Sequence, residues 1–161
     1  MKKIILLTSF FASLVFPGVN VGGSLMMATL DTGYGDVNLN IPTLNGGFAG
    51  REGNFGWEAK LGFGLATADD TDDDGDEWSL EIENFLQLKG KYFFQENFYG
   101  ALVYTNASVE ACAVWANECV SDDESDTGFH VGYLVNESFE IFGGQVFSDD
   151  DVFEIGFSYS F

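Results

Sequence analysis

The segment from Val152 to Phe161 constrains the fold most. Phe153, Ile155, Phe157, Tyr159 and Phe161 alternate with Val152, Glu154, Gly156, Ser158 and Ser160. A period of two puts every large aromatic side chain, with Ile155, on one face of a strand and leaves mainly small or polar groups on the other. The code recurs upstream. Phe55, Trp57, Ala59, Leu61, Phe63 and Leu65 share a parity, opposed by Asn54, Gly56, Glu58, Lys60, Gly62 and Gly64. A third stretch places Trp78, Leu80, Ile82, Leu86, Leu88, Tyr92 and Phe94 together. Ser79, Glu81, Glu83, Gln87, Lys89 and Lys91 oppose them, with Phe85 as the exception.

The polar face decides between architectures. In a two-sheet sandwich the apolar face meets another sheet and the polar face meets water. Here the polar face carries glycines and opposed charges, the pattern of a narrow barrel interior, while the apolar face meets lipid. A lysine turned to the bilayer midplane costs about 2–4 kcal/mol, so the alternation fixes which face is which. The glycines and 17 Phe of the 161 residues, with only two Pro, support an all-β chain. No run of about 20 apolar residues follows the start, so no spanning helix is predicted.

Eight strands are expected. Five lie at about 21–29, 38–49 (bent or bulged near Pro42), 98–107, 128–135 and 139–147. The other three are those above, from 55, from 78, and 152–161. Each is close to the roughly 9–11 residues of a tilted membrane strand. Tight turns at 51–54, 95–97 and 136–138 alternate with longer loops at 31–37, 67–77, 108–127 and 148–151. The fold expected is an eight-stranded antiparallel up-and-down transmembrane β-barrel over 21–161. Residues 1–20 read as an export signal. Lys2 and Lys3 precede the apolar run 4–16, Pro17-Gly18 breaks it, and cleavage falls between about 18 and 23.

These strands resemble the small bacterial outer-membrane β-barrel family, the porin-like or OmpA/OmpX-like transmembrane domain. The resemblance rests on Asn54-Phe55-Gly56-Trp57-Glu58-Ala59-Lys60, on Leu88-Lys89-Gly90-Lys91-Tyr92-Phe93, and on the terminal Gly156–Phe161. It implies an outer-membrane location in a Gram-negative cell, contact with lipid and lipopolysaccharide, and a monomer. It also implies insertion by the barrel assembly machinery through Gly156, Tyr159 and Phe161. Members of this kind include adhesion and colonisation barrels, narrow pores and lipid A-modifying enzymes. The enzymes use a His with a nearby Ser and an acid. Here Gly132 stands two residues after His130, where that Ser would be, so no catalytic residues are assigned.

Charge restricts partners further. The net charge is −20, and the basic residues are Lys2, Lys3, Arg51, Lys60, Lys89 and Lys91. Phosphate binding needs basic patches, so nucleic acid is excluded as a partner. The long loops hold acids and no base. A polar lumen network is expected from Glu58, Lys60, Glu81, Glu83, Lys89, Lys91, His130, Glu140 and Glu154. Cys112 and Cys119 are the only cysteines, and in an exported chain they predict a local disulfide. The ring they close carries Trp115, a candidate contact for a surface partner. No cofactor is expected beyond loose calcium at the acidic loops. Asp70, Asp72, Asp74 and Asp76, around Gly75, make the weak calcium-loop pattern. The function expected is structural and cell-surface interaction through the acidic loops. The alternative is a narrow cation-preferring channel lined by the lumen glutamates; a lipid-modifying enzyme comes third.

Overall fold

The computed structural model describes residues 18–31, 36–71, 75–147 and 151–161. The expected export signal falls outside them up to residue 17. Strands β1 (Gly18–Asp31), β2 (Asp36–Glu52), β3 (Phe55–Gly64), β4 (Ala68–Thr71), β5 (Glu77–Phe93), β6 (Phe98–Ala113), β7 (Glu118–Leu134), β8 (Phe139–Phe147) and β9 (Asp151–Ser160) follow in chain order. All pairings are antiparallel. The order is β3-β2-β1-β9-β8-β7-β6-β5, and β3 pairs again with β5 to close the sheet. β4 pairs with β5 beyond the end of β3, so the two count as one barrel strand. The result is a closed eight-stranded barrel. Closure removes the sheet edges and satisfies the ladder internally, as lipid demands.

The parity read from the sequence sorts inside from outside. On β9 Glu154 and Ser158 are buried, while Phe153, Ile155 and Phe157 point outward and are half exposed. On β3 Glu58 and Lys60 are buried, while Leu61 and Phe63 are exposed. Aromatic rings gather outside near the short-turn end. Phe55 and Tyr92 lie 5.3 Å apart, as do Tyr92 and Phe94, and Tyr159 meets Phe161 at 5.1 Å. Such a ring of amphipathic side chains marks a membrane–water boundary.

The short turns fall where expected. Gly53, at φ 60°, takes the left-handed conformation that lets β2 reverse into β3. Pro42 behaves differently from the expectation. Its register with β1 is unbroken, Leu25 opposite Pro42. Its carbonyl accepts from the Leu65 N–H at 2.8 Å, on the side facing β3. The nitrogen without a proton faces the same side, where the β2–β3 ladder has already ended at Thr43↔Gly64. No ladder bond is lost, so no bulge is needed.

Two further expectations are corrected. The β5–β6 register shifts between Ile82 and Asn84, making Glu83 an extra residue. Such a bulge reverses the parity of everything beyond it. Ile82 and Phe85 are therefore both inside, and Glu81 and Glu83 are exposed rather than in the lumen. The segment 108–127 is not a loop. β6 and β7 remain paired from Thr105↔Asp126 out to Ala113↔Glu118, and a short 3-10 turn at Val114–Ala116 closes the hairpin.

Candidate functional site: a filled lumen and an acidic outer sheet

The lumen is stacked in layers. At the long-hairpin end Met26, Leu39, Ile41, Ile82, Phe85 and Val146 form an apolar plug, with Trp78, Leu80 and Val109 packed against it. Near the short-turn end Phe93, Tyr99 and Ala101 form a second apolar cluster. The Arg51 guanidinium lies 3.7 Å from the Phe93 ring centroid and donates to the Glu96 carbonyl at 2.9 Å. Between the two clusters sits the polar network.

Its buried charges are Lys60, Lys89 and Lys91 against Glu58, Glu140 and Glu154. The Lys91 ammonium donates to both oxygens of Glu140, at 2.9 and 2.7 Å, and lies 3.2 Å from Glu58 Oε2. Tyr99 donates its hydroxyl to Glu140 Oε1 at 2.7 Å. Glu58 Oε1 is 2.9 Å from the Lys60 ammonium and also accepts from the Asn20 amide. Gln87 donates to Glu154 Oε2 at 3.0 Å, and His130 Nε2 lies 3.4 Å from the same oxygen. The Lys89 ammonium sits 3.6 Å over the Phe142 ring, against which His130 stacks at 5.5 Å. Three cations against three carboxylates leave this layer balanced. Balance matters, because an unpaired buried charge costs several kcal/mol.

Seven of the nine residues expected in the lumen are thus brought together there: Glu58, Lys60, Lys89, Lys91, His130, Glu140 and Glu154. The channel lining loses Glu81 and Glu83, and an apolar plug lies across the path it would need. Sequence reasoning missed Tyr99, Phe142 and Asn20 as members of the network. Tyr99 and Phe142 share the parity of their buried neighbours Ala101 and Glu140, but two aromatics broke the polar pattern that would have pointed inward. Gly132 belongs here too. A Cβ on it would meet the Tyr99 ring at 2.1 Å, so the glycine is what lets Tyr99 reach Glu140. His130 is fully buried beside Glu154.

The other end is built differently. β4, β5, β6 and β7 run on past the barrel as a sheet. β6 and β7 are tied near its tip by the Cys112–Cys119 disulfide, whose residues are direct register partners. Glu118, Asp122, Asp123 and Glu124 are exposed on β7. Four basic residues fall in the described chain. Lys60, Lys89 and Lys91 are in the lumen and Arg51 is at the opposite end, so no described cation balances this sheet. Several acids here have structural tasks: Asp123 accepts from the Ser108 hydroxyl across β6 and β7, and Asp70 ties β4 to β2. Its Oδ2 accepts the Asn38 N–H at 2.9 Å and its Oδ1 accepts the Thr71 N–H, which hold its carboxyl below the usual range. Asp72 and Asp74 lie outside the described residues, as does the Trp115 side chain. The pattern Asp70, Asp72, Asp74, Asp76 is therefore placed only at its ends.

No protein-family model matches the chain, and no curated protein matches it in sequence. Solved structures do. The crystal structure of Neisserial surface protein A, NspA, aligns over 89% of this chain and 97% of its own, with 11% identity and a TM-score of 0.58. This chain has the fold of a small outer-membrane β-barrel. The attachment invasion locus protein Ail of Yersinia pestis also aligns, over 90% of this chain and 97% of its own, at 14% identity and a TM-score of 0.48. It has been solved alone and with the heparin analogue sucrose octasulfate. At these identities the likeness is one of fold, and what this barrel does must be argued from its own residues.

Proposed function

We propose that this barrel resides in a bacterial outer membrane and acts at the cell surface, through the acidic sheet that stands beyond the barrel. One observation carries the reading. The described basic side chains are withdrawn into the lumen or to the short-turn end, while the outer sheet keeps carboxylates alone. Inside, charge serves packing; outside, it faces solvent and steers a partner of opposite sign. The barrel is a monomeric, non-enzymatic scaffold. An interior of eight strands is just wide enough to be filled by side chains, and here it is filled.

Several finer points belong to the same reading. The export signal is removed at the early end of the expected window of about 18–23, before Asn20, whose side chain belongs to the lumen network. The final strand, through Gly156, Tyr159 and Phe161, serves the assembly machinery. The outward apolar face meets lipid, and the outer acids approach lipopolysaccharide phosphates only through bridging divalent cations, loosely held calcium among them. Trp115 at the disulfide-closed tip offers an apolar anchor in an acidic field.

The test replaces residues 108–127 with a short turn and compares surface attachment of whole cells expressing either form. Loss of attachment, with heat-modifiable folding retained, is expected. Unchanged attachment would overturn the surface reading. Refolded barrel in a planar bilayer is expected to be silent at low and high salt; stable cation-selective steps would favour the channel instead.

A further inference from the structure

We propose that the lumen mouth at the short-turn end binds a small zwitterion of amino-acid size, its carboxylate held by Arg51 and its ammonium by Glu137. The site lies at the end away from the acidic sheet and goes beyond the surface reading.

At this end the lumen opens into a cavity of about 160 Å³. Lys91 and Glu140 line it on the inner side, and both are already engaged. The Lys91 ammonium donates to both Glu140 oxygens and lies near Glu58, while Tyr99 donates to Glu140 as well. The cavity is therefore a blind dish rather than a path, and its floor has little left to offer a ligand. Phe93 and Leu134 add apolar wall.

The rim is different. Arg51 stands near the end of β2, and Glu137 lies in the turn between β7 and β8. Two barrel strands separate these turns either way round, β1 and β9 on one side and β5 and β6 on the other. The two residues thus come from opposite sides of the mouth, and both line the cavity. Among the described residues neither has an oppositely charged partner, and they do not pair with each other. Each is held by its turn. Arg51 donates from Nε to the Gly53 carbonyl at 3.0 Å and from Nη1 to the Glu96 carbonyl at 2.9 Å, with its guanidinium over the Phe93 ring. A guanidinium has about five N–H donors, so donors remain for a ligand. Asn136 Oδ1 accepts the Ser138 and Phe139 N–H groups at 2.9 and 2.8 Å, which fixes the backbone beside Glu137.

This arrangement selects by charge. A lone anion drawn to Arg51 meets the Glu137 carboxylate across the mouth, and a lone cation drawn to Glu137 meets Arg51. A molecule carrying both charges satisfies both sides. In a cleft with apolar walls the field between the rim charges is focused rather than dispersed in solvent. Size narrows the class. At about 30 Å³ for a water in the liquid, the cavity has room for roughly five small heavy atoms. That is the scale of glycine or a slightly longer amino acid. Phe93 and Leu134 favour methylenes between the charged ends over a further polar group.

The experiment titrates the refolded full barrel in micelles with glycine, β-alanine and γ-aminobutyrate, following backbone amide shifts by NMR. Acetate and methylammonium serve as single-charge controls. One member of the series is expected to bind about tenfold more tightly than either single ion and to weaken with salt. Binding should pass through an optimum as the charges move apart, with shifts confined to residues 51–53 and 136–139. Glu137→Gln is expected to reduce the zwitterion to the level of acetate, and Arg51→Lys, which keeps the charge, to retain most of the binding. Zwitterions that bind no better than the single ions overturn the inference, as does an unchanged preference in Glu137→Gln or a set of shifts elsewhere in the barrel. The barrel trimmed at 108–127 is expected to bind the zwitterion as before, so this inference and the surface reading fall separately.

Discussion

The lumen and the outer sheet are both rich in carboxylates, and they use them in opposite ways. Glu58, Glu140 and Glu154 each lie within 3.4 Å of a lysine or histidine nitrogen. Outside, Glu118, Asp122 and Asp123 stand exposed on a sheet with no described cation. Glu81 and Glu83 show that residue type decides neither fate. They lie on the same strand as Lys89 and Lys91, but a single inserted residue turns them outward. Parity and height along the strand assign the role, and the chemistry follows from the solvent each face meets. In the interior a carboxylate must be paired; on the outer sheet it may stay solvated, where it deters edge-to-edge association and attracts cations.

The sharpest way to break this comparison is to remove a carboxylate from each region. Glu58→Ala leaves Lys60 and Lys91 without a shared partner inside the barrel. We expect a loss of about 3–5 kcal/mol in reversible unfolding in lipid vesicles. Glu83→Ala, on the same footing, is expected to change stability by no more than about 0.5 kcal/mol. Similar losses from the two would mean that the inner layer is as solvated as the outer one, and the contrast would collapse. The next largest effect tests the glycine that admits Tyr99. Gly132→Ala places a methyl where the Tyr99 ring stands, so the ring must shift and loosen its bond to Glu140. A cost of about 1–3 kcal/mol is expected, and Tyr99→Phe in the same background should then cost less than it does alone. Additive costs would show that the two residues do not share one space.

Much of this was legible in the residues. Alternation located the eight barrel strands, because lipid outside and packed polar groups inside impose strict opposites on neighbouring residues. The six inward charges and His130 followed from that parity. The bulge at Glu83 was not read, although Phe85 announced it: an aromatic on the polar parity means that the phase has slipped, not that the face tolerates an exception. The outer half of the β6–β7 hairpin reads as loop in the sequence for a related reason. Beyond the membrane no apolar face is required, so Ser121, Asp122, Asp123 and Ser125 give no period to detect. What holds them in a strand is register carried over from the barrel and the Cys112–Cys119 link, and neither is a local property. Aromatic network members such as Phe142 were hidden by the opposite error, an apolar residue taken to imply a lipid face.

Smaller effects probe the outer sheet. The disulfide closes a short ring, with a sequence separation of 7. In the chain-entropy model this stabilises by about 2–3 kcal/mol at most, and the gain is local to the hairpin. Cys112→Ser/Cys119→Ser is therefore expected to speed amide exchange in 108–127 while leaving barrel unfolding where it was. A shifted unfolding midpoint would couple the tip to the barrel, contrary to the separation argued above.

The smallest effect tests an acid that ties two strands of the outer sheet together. Asp70 accepts two backbone N–H groups, from Asn38 and Thr71, and so ties β4 to the start of β2. Those donors favour the ionised form and lower its pKa from the ordinary 3.8. The sign follows directly. The folded pKa is depressed, so the tie is fully present above the ordinary value and is lost as pH falls through the lower, folded one. Because Asp70 is open to water, the effect should show as local loosening rather than global unfolding. The Asn38 amide proton is expected to titrate with an apparent midpoint below 3.8, and Asp70→Asn should abolish that titration. A midpoint at or above the ordinary value would place Asp70 among the solvated acids. The outer sheet would then be held by backbone pairing and the disulfide, with its carboxylates left entirely to solvent and partner.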